Sequence, residues 1–434
     1  TLDRDFEFSL GQFIWTGFDY IGEPTPYHTR NSYFGQIDTA GFPKDSYYVY
    51  QSAWTDYRQK PMIHIFPYWD FNEGQMIDVR VCTNAPSMKL FLNDKLIGEA
   101  TINHKKDKDI IKSWKIPFTK GELTAKAYNE KGEIIAKSSR KSFGDAFELK
   151  IKENKNILLA NGEDVVYLDI TSFDKDGNTV ENANNRIHVK VSGKGKLLGL
   201  DNGDSTDIDQ YKGTTKRLFS GKCSAVIGST LEGGEIQIEV KARGLKPARI
   251  VLTSIESKLT GEAKKAKLAN NAMVNMSDSM KTKADLSSDF ITIRKTKLKE
   301  KQGQEINKGC RKINVDLITF PGNASSQKLT WRLVNDRGID SNIGTINIME
   351  NGCEVGAVAD GDFRLRCMAN NEKDHPDIIS ELEFRAVGLG KAYKDPYHLV
   401  SGGLYDYSKG EVTNGNERGE ATSRDGKTVL GSKD

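Results

Sequence analysis

The sequence predicts a mainly β protein of several domains, with β-sandwiches following one another behind a short N-terminal segment of different character. Three observations carry this. At 434 residues the chain is far too long for one domain, and its length suggests about three. Beyond Pro61 the pattern is one of short alternating runs separated by turn residues, the mark of sandwich domains. Helical spacing is strong only once, before that point.

The N-terminal segment is the most informative. Gly11 to Trp15 is an apolar run of strand length, broken by Gly17 and then by Gly22, Pro24 and Pro26, which force a structured loop. That loop carries Trp15, Asp19, Tyr20, Glu23, Tyr27 and His28. Aromatic rings beside polar groups suit a sugar, whose C–H faces stack on rings while its hydroxyls need hydrogen-bond partners. From Asp45 to about Gln59 apolar residues recur at helical spacing, with Asp45 placed as an N-cap. Pro43 ahead and Pro61 behind bound the helix.

The Phe13 to Tyr27 stretch resembles the end of the catalytic barrel in glycoside hydrolase family 2, in its gut-bacterial β-galactosidase-like branch. The resemblance implies that residues 1–60 are the last strand, loop and helix of a (β/α)8 barrel, with the site at the strand's C-terminal end. Trp15 would then line the sugar pocket, with Asp19 and Tyr20 shaping the loop behind it. Glu23, Tyr27, His28, Phe34 and Asp38 are the wider candidates for the pocket rim. Retaining glycosidases need two carboxylates flanking the scissile bond, and in this family both glutamates come from earlier barrel strands. Neither Glu7 nor Glu23 sits in such a motif. The resemblance therefore implies no catalytic residue within this chain, both glutamates lying upstream of Thr1, and a C-terminal portion truncated at both ends.

The β domains follow in order. Met76 to Asn84 alternates, Met88 to Gly98 forms a hairpin around Asn93 and Asp94, and Gly121 to Tyr128 begins another. Residues 61–144 resemble the immunoglobulin-like module that follows the barrel. Residues 145–255 read as a second sandwich, resembling the family's C-terminal immunoglobulin-like domain. In it Asp174 to Asn178 is a hairpin turn, since the twelve-residue calcium-loop pattern is absent, and Leu200 to Ser205 is a loop rich in Gly and Asp. Residues 256–310 gather lysines and few apolar groups, and read as a Lys-rich linker open to proteolysis. Residues 311–392 resemble a bacterial immunoglobulin-like domain with Trp331 as its core tryptophan. Residues 393–434 look like the start of a galactose-binding-like jelly roll, which needs about eight strands and is cut short at Asp434.

Net charge is only +3, with 28% charged and 37% hydrophobic residues, which gives no argument for nucleic acid or membrane as a partner. No apolar run approaches the roughly 20 residues that span a bilayer. The five cysteines stand singly with no C-x-x-C spacing, which argues against a structural zinc and for free thiols, Cys353 with Cys367 being the one local pairing to consider. No metal or cofactor is expected, and a carbohydrate is the expected partner. The function implied is a retaining exo-β-glycosidase, β-galactosidase first, with β-glucuronidase as the alternative within the family. The reading from another class is a non-catalytic carbohydrate-binding or adhesive array of sandwich modules. Oligomerisation of the parent enzyme is left open, and its expected location is periplasmic or secreted.

Overall fold

The computed structural model describes residues 8–11, 13–25, 29–104, 110–258, 290–373 and 376–390, and the backbone of five short strands after residue 397. Glu7, Tyr27 and His28 lie outside the described residues, as do residues 259–289 of the expected linker. The fold is mainly β. It divides into two compact units, Thr1–Thr292 and Ile293–Asp434.

The first unit opens with β1 (Tyr20–Thr25) and β2 (Asn31–Ser32), paired in parallel. Of the strand expected from Gly11 to Trp15, the described residues Gly11, Phe13, Ile14 and Trp15 form none, and Phe13 and Trp15 are exposed. A strand exists only where another strand satisfies its backbone groups, and among the described residues none lies beside this run. The helix α1 (Asp45–Trp54) does form, but Lys44 is its cap residue and Asp45 its first helical residue. The Asp45 carboxylate is engaged elsewhere, 2.8 Å from Nε2 of His64. The helix stops five residues short of Gln59 because Thr55 turns extended and bonds the Gln51 carbonyl through both its N–H and its hydroxyl.

The first sandwich comprises β3 (Ile63–Phe66), β4 (Met76–Thr83), β5 (Ser87–Leu92), β6 (Lys95–Thr101), β7 (Ile111–Pro117), β8 (Glu122–Tyr128) and β9 (Ile134–Lys141). One sheet runs β3-β4-β7, the other β6-β5-β8-β9. Their inward residues, among them Ile65, Val79, Val81, Leu90 and Leu123, close over the fully buried Trp69. The hairpin between β5 and β6 turns at Asn93 and Asp94, both at positive φ (49° and 63°), as a two-residue turn requires.

The second sandwich comprises β10 (Glu148–Glu153), β11 (Ile157–Ala160), β12 (Val165–Phe173), β13 (Arg186–Gly193), β14 (Gly195–Asp201), β15 (Thr215–Arg217), β16 (Lys222–Ser229), β17 (Gly234–Ala242) and β18 (Ala248–Glu256). The sheet β10-β12-β16-β14 faces the sheet β11-β18-β17-β13-β15 across a core that includes Leu168, Ile170, Val189, Ala225 and Ile238. Alternation in β12 is complete: Val166, Leu168, Ile170 and Ser172 point in while Tyr167 and Asp169 point out. Asp174 closes its turn by accepting the amides of Asp176 and Asn178.

In the second unit, β19 (Lys295–Glu300) and β20 (Glu305–Ile306) fall inside the segment expected to be linker. The lysines misled because they share one face. Thr296 and Leu298 are buried, while Lys295, Lys297 and Lys299 alternate with them outward. The remaining strands are β21 (Lys312–Phe320), β22 (Leu329–Val334), β23 (Gly344–Met349), β24 (Gly352–Ala357), β25 (Gly361–Ala369) and β26 (Ile378–Ala386). They complete the sheets β19-β21-β24-β23 and β20-β26-β25-β22. Trp331 is not the central residue of this core. It lies partly buried on the edge strand β22, and the centre is filled by Phe363 stacked on Phe384 with ring centres 5.7 Å apart. All five cysteines are free, and Cys82, Cys223, Cys353 and Cys367 are buried. Beyond residue 397, His398–Val400, Gly403–Asp406 and Glu411–Asn414 form one small sheet, and Glu420–Thr422 pairs with Thr428–Leu430.

Candidate functional site

The sequence-predicted residues fall into two groups. The first is an exposed chain of hydrogen bonds. Trp15 donates from its indole nitrogen to the Tyr20 hydroxyl at 2.9 Å, and Tyr20 in turn donates to the Glu23 carboxylate. The two rings meet edge to face at 88°. This arrangement fixes the indole by its edge while Trp15 stays 73% exposed, so a ring face is left open. Glu23 holds φ at 42°, a left-handed conformation rare outside glycine and asparagine, at the bend of the loop.

The second group is buried around Asp19. Its backbone N–H bonds the Ile37 carbonyl, and its Oδ1 accepts both the Gly35 amide and the Lys44 ammonium at 2.8 Å. Lys44 also donates to the Tyr33 carbonyl at 3.0 Å, which ties the loop before α1 to the segment after β2. The other oxygen, Oδ2, is buried and has no hydrogen-bond partner. Phe34, half exposed, stacks on Tyr33 at 6.0 Å. Tyr33, Asp19 and Lys44 all line a cleft of about 670 Å3.

Asp38 stands at the end of this group. It closes the tight loop to Phe42 by accepting that residue's amide at 2.9 Å, and it packs directly on Gly203 of the second sandwich. A Cβ at Gly203 would lie 2.1 Å from Asp38 Oδ2, and its φ is 75°, so only glycine admits this approach. Burial, with the charges of Asp201 and Asp19 nearby, pushes the Asp38 carboxyl up to about 6 from its usual value near 3.8, against the hydrogen bond from Phe42.

Sequence reasoning missed the residues that hold the segment in place. Arg30 donates to the carbonyls of Asp207 and Asp209, each at 2.7 Å, and its own amide bonds Ser205. The loop that receives it is stiffened from below. Lys216, buried, donates to the Asp209 carbonyl at 3.0 Å, and Arg186 pairs with the Asp209 carboxylate at 2.6 Å. The Gly- and Asp-rich loop is thus matched by cations and by its own amides. Among the described residues no cluster of three or more His, Cys, Asp or Glu could hold a metal ion. Nothing local marks Arg30, because its partners are 177 and 179 residues away. Lys44 carried a faint signal as the residue between Pro43 and the helix start.

The fold and site define a multidomain β protein with a loop and helix segment bearing an aromatic and carboxylate cluster. Residues 149–251, within the second sandwich, match glycoside hydrolase family 2 C-terminal domain 5, and residues 74–136 match a domain of unknown function (DUF4982). The chain is similar to a β-galactosidase of Bacteroides ovatus, 36% identical over 59% of this chain and 30% of that protein. A putative β-glucuronidase of Formosa agariphila is 31% identical over 55% of this chain and 23% of its own length. Among solved structures, a β-glycosidase from Bacteroides vulgatus has a TM-score of 0.53 and 32% identity, covering 56% of this chain and 31% of that one. These similarities support a fragment of a glycoside hydrolase family 2 protein. The chain spans less than a third of the length of these relatives.

Proposed function

We propose that the chain is the C-terminal part of a retaining exo-β-glycosidase, and that the terminal sugar it removes is a β-linked galactose. The observation that carries this reading is the Trp15 indole, exposed on its face and held by its edge through Tyr20 and Glu23. Such a ring is shaped to stack on a pyranose while neighbouring polar groups take its hydroxyls. Residues 8–54 supply this wall and its supporting loop, as the last strand region and helix of a barrel whose earlier strands bring the two catalytic glutamates. The β domains, with boundaries near residues 61, 145 and 293, act as accessory modules, and the segment after 393 begins a further one. The choice of galactose is supported by the similarity to the Bacteroides ovatus β-galactosidase. A glucuronide is the second reading, favoured by the similarity to the Formosa agariphila protein.

The test is a comparison of aryl β-galactoside and aryl β-glucuronide hydrolysis by the full-length protein, with product anomers followed by NMR. Galactoside turnover with retention is expected, and none by the present chain alone. Turnover of the glucuronide only would replace the sugar assignment. Hydrolysis by the isolated chain, abolished by Glu23→Gln, would show that the catalytic groups had been misplaced.

A further inference from the structure

The cleft beside Asp19 is not used by the terminal-sugar reading. Its walls come from separate parts of the first unit: Phe42 from the N-terminal segment, Tyr48 from α1, Tyr68 and Arg140 from the first sandwich, Glu181 and Phe219 from the second. At about 670 Å3 it falls within the range of small-molecule sites. We propose that this cleft binds the distal units of an uncharged oligosaccharide whose terminal unit lies at Trp15.

Four features select that chemistry. Most of its charges are matched: Asp19 with Lys44 at 2.8 Å and Arg140 with Glu181 at 3.1 Å, while Asp45 lies 2.8 Å from His64 Nε2 and Asp38 and Lys222 add one charge of each sign to the lining. An ionic ligand would find little opposite charge left for it, and a neutral one meets both donors and acceptors. Second, aromatic surface is available. Tyr48 is stacked on His64 with ring centres 3.9 Å apart, and Phe219 is 42% exposed. Such faces suit the C–H side of a sugar ring. Third, Asp19, which lines the cleft, keeps Oδ2 as a buried acceptor without a donor, a costly state that a hydroxyl donor reaching it would relieve and an anionic ligand would not. Fourth, Asp19 follows Trp15 by four residues, so their Cα atoms are at most about 14 Å apart, within the length of a short oligosaccharide.

The inference rests on the sugar site proposed at Trp15, and its test is chosen to separate the two. The present chain contains the whole cleft and is titrated by calorimetry with galactose and with β-linked galactotetraose. We expect the tetraose to bind at least about tenfold more tightly than galactose. Phe219→Ala should remove about tenfold of that affinity and Phe219→Tyr should restore it, with thermal unfolding unchanged in both. In the full-length protein, Phe219→Ala should raise KM for the tetraose while leaving aryl β-galactoside hydrolysis as it was. Equal binding of galactose and tetraose, no binding of the tetraose, or tighter binding of tetragalacturonate would overturn the cleft proposal. Loss of aryl β-galactoside turnover in the unmodified full-length protein, with tetraose binding intact, would instead strike only the reading at Trp15.

Discussion

Arg30 lays its guanidinium 4.4 Å from the centre of the Tyr211 ring, so the loop following β1 is fastened to the loop between β14 and β15. Two carbonyl acceptors on that loop hold the same guanidinium in place. Arg30→Ala should therefore loosen β1 more than it loosens the second sandwich. Hydrogen bonds from a charged donor contribute about 1.5–3 kcal/mol. We expect a loss of about that size, read as faster hydrogen exchange at Tyr20–Thr25 with β12 and β16 unchanged. Uniform protection across both regions would show that Arg30 does not fasten the loop.

Asp38 makes stability depend on pH. Its carboxyl is raised to about 6 in the folded chain from 3.8, so the folded state holds the proton more tightly than the unfolded state. The stabilisation that goes with the protonated form is complete below about pH 4 and is lost as pH rises through 6. Asp38→Asn keeps the oxygen that accepts the Phe42 amide but carries no charge. Its melting temperature should match the parent chain near pH 4 and exceed it increasingly up to about pH 6, with a constant margin above. A margin that is the same at pH 4 and pH 7 would contradict the assignment.

Trp15→Ala tests the sugar wall. Because the side chain is 73% exposed, its removal should leave the melting temperature of this chain within about 1 °C, a surface-substitution effect. In the full-length protein the same change should cost about 2–4 kcal/mol in kcat/KM for the aryl galactoside. An unchanged kcat/KM would remove Trp15 from the site.

In the second unit, Asn371 is the residue whose loss should cost most. It is fully buried, sits at φ 49°, and its amide bonds both the N–H and the carbonyl of Ile293, together with Gln327 and Asp377. Asn371→Ala strands these groups and places a Cβ-bearing residue without a local hydrogen bond in the left-handed region. We expect about 3–5 kcal/mol of destabilisation, measured as a lower denaturant midpoint for a chain spanning residues 290–390. A shift under about 1 kcal/mol would mean that the network re-forms around water.

Much of the fold was legible because strands and turns are written in neighbouring residues. The alternation of β4 and β12, the turn at Asn93 and Asp94, and the helix from Asp45 all follow from local spacing and backbone preference. The resemblance to glycoside hydrolase family 2 was likewise legible in the second sandwich, where residues 149–251 match the family's C-terminal domain 5. Other features were decided only by the tertiary structure. Gly11 to Trp15 has a strand's composition but, among the described residues, no neighbour to pair with, and composition cannot supply hydrogen-bond partners. The lysines of β19 looked like a linker because charge density was counted along the chain, whereas the fold places them on one outward face. Arg30 on Tyr211, Lys44 on Asp19 and Asp38 against Gly203 join residues distant in sequence. Such contacts depend on how separate elements pack and leave no periodicity for a sequence to display.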